Sequence, residues 1–175
     1  MTIFLCGFMG CGKTTVGRAL SEILCIPLID TDDEIVNSEG CSIPEIFEKK
    51  GEPYFRKIEA ETVRSLCSKN AVVACGGGAM LNADTAAAAK NTGATIVLID
   101  QSFETCYSRI KDDINRPIVQ KNTKEQLREI YNGRADIYRS NANKSIIPSD
   151  GESPEETAKR ISELLGITVS DTHKN

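Results

Sequence analysis

Short apolar runs alternate along this chain with longer segments whose apolar residues recur at helical spacing. The apolar runs cover residues 2–6, 27–29, 71–74, 95–99 and 144–147. Helical spacing is found at 13–24, 53–68, 83–90 and 124–142, and a last helix is predicted to begin at Ser153 with a capping box completed by Glu156. Strand–helix alternation of this kind predicts an α/β fold, with a parallel sheet covered by helices on both faces.

Two segments depart from this alternation. Residues 33–51 read as short helices broken at Gly40 and Gly51. Residues 111–122 are polar, contain Asn115-Arg116-Pro117 and lie between two predicted helices. A segment of that composition beside a ligand site is a candidate lid, and an ordinary surface loop is the alternative. No linker or repeat divides the chain, so residues 1–175 are expected to form one domain.

The composition of the chain limits the classes of ligand and the cellular compartment that are expected. The chain has 175 residues and a formal net charge of −4, which does not favour nucleic acid or an anionic membrane as a partner. Its seven cysteines are scattered without a CxxC pair, which argues against a disulfide framework and a structural zinc site. Neither a signal peptide nor a membrane span is expected, so the cytosol is the predicted compartment. The single histidine, His173, is too close to the C-terminus to supply site chemistry.

A phosphate-binding loop follows the first predicted strand. Residues 7–14, GFMGCGKT, fit the pattern GxxxxGK[ST] and open the first helix, which is the structural context that this motif requires. Backbone N–H groups of such a loop converge on phosphate oxygens. Lys13 is predicted to reach the β- and γ-phosphates, and the Thr14 hydroxyl to bind Mg²⁺. The predicted contacts of the nucleotide are Gly10, Cys11, Gly12, Lys13, Thr14 and Thr15.

Two carboxylates follow the second predicted strand. Asp30 is expected near the metal, directly or through water, and Asp32 near the hydroxyl of the phosphoryl acceptor. Helix capping is the alternative interpretation for Asp32, because acidic residues are also favoured at the start of a helix. Asp33 is assigned to capping alone.

Three glycines and three arginines suggest an anionic acceptor. Gly76, Gly77 and Gly78 come directly after a predicted strand, where a ligand can approach bare backbone N–H groups; a flexible turn is the alternative. Arg56, Arg116 and Arg134 lie near predicted ligand-facing segments, and a guanidinium can pair with carboxylate or phosphate through two hydrogen bonds. Each arginine alone reads as a surface residue. Together with Asp32, they predict a site for an acidic polyol.

From Ile3 to about Leu165, the chain resembles the shikimate kinase family. The resemblance is carried by the opening Gly7-Phe8-Met9-Gly10, by Asp30-Thr31-Asp32, and by Arg56-Lys57-Ile58-Glu59 followed by a strand and Gly76-Gly77-Gly78. Thr14 stands where the family often has serine, and it keeps the hydroxyl. The resemblance implies the nucleoside monophosphate kinase fold, with five parallel strands in a three-layer arrangement, a substrate-binding region at about 31–60 and a lid at about 111–122.

The resemblance also implies a reaction and roles for individual residues. ATP and shikimate would give ADP and 3-phosphoshikimate, with Mg²⁺ as cofactor, in aromatic amino-acid biosynthesis. Asp32, Arg56, Gly77 and Arg134 would hold shikimate, flanked by Gly76 and Gly78. Arg116 would reach the phosphates from the lid, Arg109 would lie against adenine, and residues 141–154 would contain the adenine loop. Lys13, Asp32 and Arg116 are the predicted catalytic residues of a monomeric enzyme.

Two other functions remain open at this stage. Another acidic-polyol kinase, such as a gluconate kinase, would also need a phosphate loop and arginines. A nucleotide-dependent regulatory protein is the alternative from a different class. Asn143-Lys144-Ser145-Ile146 lacks the aspartate of the guanine-reading NKxD sequence, which argues against a switch of the small-GTPase type.

Overall fold

The computed structural model describes residues 1–114 and 116–167. Asn115 and residues 168–175 lie outside this range, and so does the expectation about His173.

Five strands form one parallel sheet of order β2-β3-β1-β4-β5. The strands are β1 (Thr2–Cys6), β2 (Leu28–Asp30), β3 (Ala71–Ala74), β4 (Thr95–Ile99) and β5 (Lys144–Ile146). The five parallel strands implied by the resemblance are therefore confirmed. The carboxyl ends of the central strands meet at one edge of the sheet, where the loops that carry the candidate residues begin.

Eight α-helices lie in the described part of the chain. They are α1 (Lys13–Leu24), α2 (Thr31–Glu39), α3 (Ile43–Leu66), α4 (Ala83–Asn91), α5 (Phe103–Ile110), α6 (Pro117–Gln120), α7 (Lys124–Asn141) and α8 (Pro154–Leu164), with a 3₁₀ turn at Ala79–Leu81. The capping box predicted for the last helix is present: the Ser153 hydroxyl accepts from Glu156 N–H at 3.1 Å, and the Glu156 carboxylate accepts from Ser153 N–H at 2.8 Å.

The core lies on both faces of the sheet. Alternate residues of β1 point to opposite faces, so Leu5 packs with Leu20 of α1 and Ile161 of α8, whereas Phe4 packs with Val63 of α3. All five side chains are buried. Burial of both faces explains why the central strands are continuous apolar runs without polar alternation.

Several boundaries differ from those predicted. β2 extends to Asp30, and the Asp30 carboxylate accepts from Asp32 N–H at 3.0 Å, so Asp30 is the N-cap of α2. Asp33 is therefore not the N-cap, but it lies in the first turn of α2, where an acidic residue is favoured as expected. The predicted breaks are confirmed: α2 ends at Gly40, and the backbone of α3 is non-helical at Gly51.

The segment 111–122 packs apolar side chains against the core, although its composition is mostly polar. It contains the short helix α6, and Val119 is buried in the main core while Ile118 packs against the same cluster. The description of this segment as polar is therefore incomplete, because apolar side chains anchor it to the core.

The cysteines of the chain all lie within the described range and all are free thiols. Burial raises the pKa of Cys6 and of Cys106 to about 12, which keeps both thiols protonated. Within residues 1–114 and 116–167, no helix combines the length and the apolar character that crossing a bilayer demands.

Candidate active site

The phosphate loop connects β1 to α1 and wraps around the Lys13 side chain. Lys13 Nζ donates to the carbonyl oxygens of Gly7 at 2.9 Å and Phe8 at 3.1 Å. Gly10 has a φ of 78°, and a Cβ added there would lie 2.6 Å from the Cys106 carbonyl oxygen. Only glycine fits this point without strain, so the loop can lie against α5.

A cavity of about 410 Å³ opens above this loop. All eight residues predicted to contact ATP line it: Gly10, Cys11, Gly12, Lys13, Thr14, Thr15, Arg109 and Arg116. Arg109 Nη1 also donates to the Gly10 carbonyl oxygen at 3.0 Å, which ties α5 to the phosphate loop. Pro148, Glu152 and Pro154 form another wall, within the segment predicted to contain the adenine loop.

Thr14 and Asp30 lie at the junction of α1 and β2. The Thr14 hydroxyl donates to Asp30 Oδ2 at 3.2 Å. A hydroxyl and a carboxylate are hard oxygen ligands of the kind that Mg²⁺ prefers, and Mg²⁺ usually keeps several waters and substrate phosphates as its remaining ligands. The two side chains therefore fit a magnesium site that is completed by a nucleotide.

A second cavity of about 1100 Å³ lies between α2, α3, α7 and the loop after β3. The structure brings together here every residue predicted to bind the acceptor: Asp32, Arg56, Gly76, Gly77, Gly78 and Arg134. Val36, Ile43, Phe47 and Phe55 add an apolar wall. Arg116 lines both cavities and therefore lies at their junction.

Arg56 is held from both sides by carboxylates of its own helix. Its Nη1 donates to Glu59 Oε2 at 2.8 Å, and its Nε and Nη2 donate to Glu52 Oε1 at 3.2 and 3.1 Å. Glu59 is only 3% exposed. Burial raises the pKa of Glu59, and the Arg56 guanidinium opposes that shift. These contacts fix the direction of Arg56 before any ligand is considered.

The three glycines differ in what surrounds them. A Cβ at Gly78 would lie 2.0 Å from Arg56 Nη1, and one at Gly76 would lie 2.5 Å from Asp32 Oδ1. A Cβ at Gly77 would meet no atom within 4 Å. Gly76 and Gly78 therefore make room for two side chains of the site, whereas Gly77 faces open space in the cavity.

Asp32 has an environment suited to proton transfer. Burial raises its pKa above the ordinary value, and the nearby Asp30 carboxylate adds to the shift. Lys13 and Arg116 act in the opposite direction, which places both cations close enough to influence this carboxylate.

Sequence reasoning missed three contributors to the site. The Thr31 hydroxyl is fully buried and accepts from Gly76 N–H at 2.7 Å. Glu59 orients Arg56, and the Tyr138 hydroxyl donates to the Gly77 carbonyl oxygen. Helical spacing was a usable signal for two of them, because Glu59 lies three residues after Arg56 and Tyr138 four residues after Arg134.

Comparison with known proteins gives a consistent result over nearly the whole chain. A family model described as shikimate kinase matches residues 9–166. Shikimate kinase of Aquifex aeolicus is 44% identical over 163 residues, which make up 92% of this chain and 94% of the relative. The shikimate kinase of Persephonella marina is 41% identical over 166 residues, or 94% and 96% of the two chains.

Solved structures agree with these sequence relationships. The shikimate kinase of Acinetobacter baumannii in complex with shikimate superposes with a TM-score of 0.86 at 36% identity, over 99% of this chain and 95% of that one. A gluconokinase from Sinorhizobium meliloti reaches a TM-score of 0.56 at 17% identity, over 94% and 95% of the two chains, which is a likeness of fold alone.

Proposed function

The chain belongs to the shikimate kinase family and is therefore an ATP-dependent phosphotransferase; from this premise, we propose that its two cavities meet where ATP phosphorylates the 3-hydroxyl of shikimate. The nucleotide occupies the cavity above the phosphate loop, and shikimate occupies the cavity beside the three glycines. The products are ADP and 3-phosphoshikimate.

The observation that carries this proposal is the position of Arg116. Its guanidinium borders both cavities, and Lys13 and Asp32 line one cavity each. Phosphoryl transfer depends on in-line positioning and on stabilising the charge of the transferred group. A cation at the junction of donor and acceptor sites meets that requirement directly.

Each reacting group has a candidate partner. Lys13 and Arg116 neutralise negative charge on the transferred phosphoryl group and on the leaving oxygens. Asp32 accepts or aligns the proton of the 3-hydroxyl. Because the transition state is largely dissociative, a weak base suffices, and the raised pKa of Asp32 brings this carboxylate closer to the range of a useful base.

Three groups are proposed to hold the shikimate carboxylate: Arg56, Arg134 and the backbone N–H of Gly77. Arg56 is already oriented by Glu52 and Glu59, so less side-chain entropy is lost when it binds a ligand. The arginine forks supply paired hydrogen bonds, which distinguish a carboxylate from a neutral group.

Thr14 and Asp30 would hold Mg²⁺, Thr14 by its hydroxyl and Asp30 directly or through water. When bound, the ion supplies positive charge to the nucleotide phosphates. The protein's own part is to keep the Thr14 hydroxyl and the Asp30 carboxylate adjacent at the mouth of the phosphate loop.

We further propose that a single chain in the cytosol carries out the reaction as one kinase domain. Every residue assigned to either ligand comes from one polypeptide, with the acceptor region at about 31–60 and the lid at about 111–122.

A coupled assay of ADP release tests the proposed acceptor. We expect ADP production with MgATP to depend on shikimate and to be unaffected by gluconate. Turnover with gluconate alone would indicate another acidic-polyol kinase, and ADP release independent of both acceptors would indicate a nucleotide-driven regulatory protein. Elution of the active species as a monomer in size-exclusion chromatography with light scattering would support the single-chain proposal.

A further inference from the structure

One face of α7 lies against the loop that follows β3. Arg134, Tyr138 and Asn141 are spaced by four and three residues, so their side chains leave the helix on the same side. The Tyr138 hydroxyl donates to the Gly77 carbonyl oxygen, and Asn141 Nδ2 donates to the Met80 carbonyl oxygen at 3.0 Å. The helix that carries Arg134 is thus bonded directly to the glycine loop.

The other hydrogen bonds of this loop leave a specific pair of donors available. Gly76 N–H is held by the Thr31 hydroxyl at 2.7 Å, and the carbonyl oxygens of Gly76 and Gly78 accept from Ala79 and Leu81 N–H at 3.2 and 3.0 Å. Among the residues that the structure describes, no acceptor is found for the N–H groups of Gly77 and Gly78. Both residues border the acceptor cavity.

Tyr138 controls the orientation of one of these donors. The Gly77 carbonyl and the Gly78 N–H belong to the same planar peptide group, so a hydrogen bond to the carbonyl oxygen fixes the direction of the N–H. Because glycine backbones are otherwise permissive, this hydroxyl supplies an orientation that the loop's sequence does not.

We propose that Tyr138 is a positioning residue for the carboxylate of the acceptor, a role that rests on the function proposed above. It holds the Gly77–Gly78 peptide at a set distance from Arg134, one helical turn away on the same helix, so that the Gly78 N–H joins the Gly77 N–H and the Arg134 guanidinium at one carboxylate. Tyr138 itself does not line the cavity.

The surroundings of Tyr138 suit this role. Its side chain is 3% exposed and packs in the core beneath the loop. Burial raises its pKa, and the neighbouring Arg134 guanidinium opposes the shift. The hydroxyl therefore remains protonated and able to donate throughout the pH range in which the enzyme works.

The test uses two matched tyrosines of α7. Tyr131 also donates its hydroxyl to a backbone carbonyl oxygen, that of Gln101, at 2.9 Å, but that carbonyl is not in the glycine loop. Tyr138→Phe and Tyr131→Phe each delete one hydroxyl and keep the ring, so both variants retain the apolar packing. Steady-state kinetics with MgATP would give kcat and the KM of each substrate, and calorimetry would give the Kd of shikimate.

We expect Tyr138→Phe to raise the KM and Kd of shikimate about five- to tenfold, the size of one lost hydrogen bond. The KM of ATP should stay within about twofold, and Tyr131→Phe should leave the shikimate Kd at the parental value. With the primary amide of shikimate, which keeps one carbonyl acceptor but lacks the carboxylate charge, the loss of affinity caused by Tyr138→Phe should be smaller.

Equal shikimate Kd values for Tyr138→Phe and the parent would overturn the proposal, as would an equal loss in both variants or an undiminished effect on the amide. A parent that is active but insensitive to Tyr138→Phe refutes only the positioning role. A parent without shikimate-dependent ADP release refutes the proposed function itself.

Discussion

Arg116 Nε donates to Asp113 Oδ2 at 2.7 Å, so the cation that borders both cavities is paired with an acid three residues before it in the same segment. The pair is half-exposed, and ion pairs of this type contribute little to stability. Such a bond can be exchanged for a phosphate oxygen at small cost. The segment itself is anchored by the buried Val119, which limits how far Arg116 travels.

Replacement of Arg116 should lower turnover without much change in ground-state binding of the acceptor. We expect Arg116→Ala to reduce kcat about 100-fold, because the guanidinium stabilises charge that develops in the transition state. Arg116→Lys should restore only part of the rate, since an ammonium lacks the planar fork. Single-turnover kinetics and shikimate calorimetry measure the two effects, and a kcat within about twofold of the parent for Arg116→Ala would contradict the role.

Removal of the Lys13 ammonium should abolish transfer while the protein stays folded. No other lysine lines the nucleotide cavity in the described part of the chain. We expect Lys13→Ala to bring ADP release to background, whereas Lys159→Ala, an exposed site on α8, should behave as the parent. Near-normal turnover of a Lys13→Ala protein with an unchanged melting temperature would remove the phosphate-loop assignment.

The two acceptor arginines should differ in their effect on stability. Arg134→Ala and Arg56→Ala should each weaken shikimate binding by about 2–5 kcal/mol, with a much smaller change for ATP. Arg56→Ala should also lower the melting temperature, because it leaves the buried Glu59 without its guanidinium. Calorimetry and thermal unfolding separate these effects. Loss of ATP binding with shikimate binding intact would contradict both roles.

Neighbouring glycines should respond differently to the same substitution. An alanine at Gly77 meets no protein atom within 4 Å, so Gly77→Ala should fold normally and raise the KM of shikimate by filling its space. Gly78→Ala should displace Arg56 and therefore lower both stability and affinity. Melting temperature and shikimate KM are measured for each variant. A destabilised Gly77→Ala protein with parental KM would show that this glycine serves the fold and not the acceptor.

The charged Asp32 carboxylate should destabilise the folded protein at neutral pH. Its pKa is raised in the folded state by burial, so folding favours the protonated form, and stability falls as pH rises from the ordinary value of 3.8 through the raised value. Asp32→Asn should therefore be inactive and should melt at a higher temperature than the parent near pH 7.

The control is the pH dependence of the difference in melting temperature between Asp32→Asn and the parent. The gap in melting temperature between Asp32→Asn and the parent should narrow as pH falls toward the ordinary pKa of an aspartate, because the parent then carries a neutral side chain as well. Asp84→Asn, at the exposed start of α4, should not raise the melting temperature. A gap that is constant with pH, or of opposite sign, would show that the Asp32 charge is not the cause.

The parallel sheet and the phosphate loop could be predicted from local patterns, and the residues assigned to the acceptor were placed by the family resemblance. The glycines and Lys13 of the phosphate loop belong to one motif of eight residues. The strands are visible as continuous apolar runs. What could not be predicted depends on contacts between distant segments. The bond from Tyr138 to Gly77 joins residues 61 apart in sequence, and the one from Gly76 to Thr31 spans 45. The helical spacing of Arg134 and Tyr138 places both on one face of α7, but it does not identify Gly77 as the partner of Tyr138.

The two carbonyl bonds of Lys13 change what nucleotide binding can gain. We expect a phosphate oxygen to compete with the carbonyl oxygens of Gly7 and Phe8 for the Lys13 ammonium, so that the ammonium exchanges partners and keeps hydrogen bonds throughout. Because existing hydrogen bonds are lost in this exchange, the net binding free energy is smaller than the attraction between ammonium and phosphate alone. When ADP leaves, we expect the same carbonyl oxygens to accept from the ammonium again, which would favour product release. We therefore expect Lys13 to contribute less to the affinity for ATP than to the stabilisation of the transition state of phosphoryl transfer.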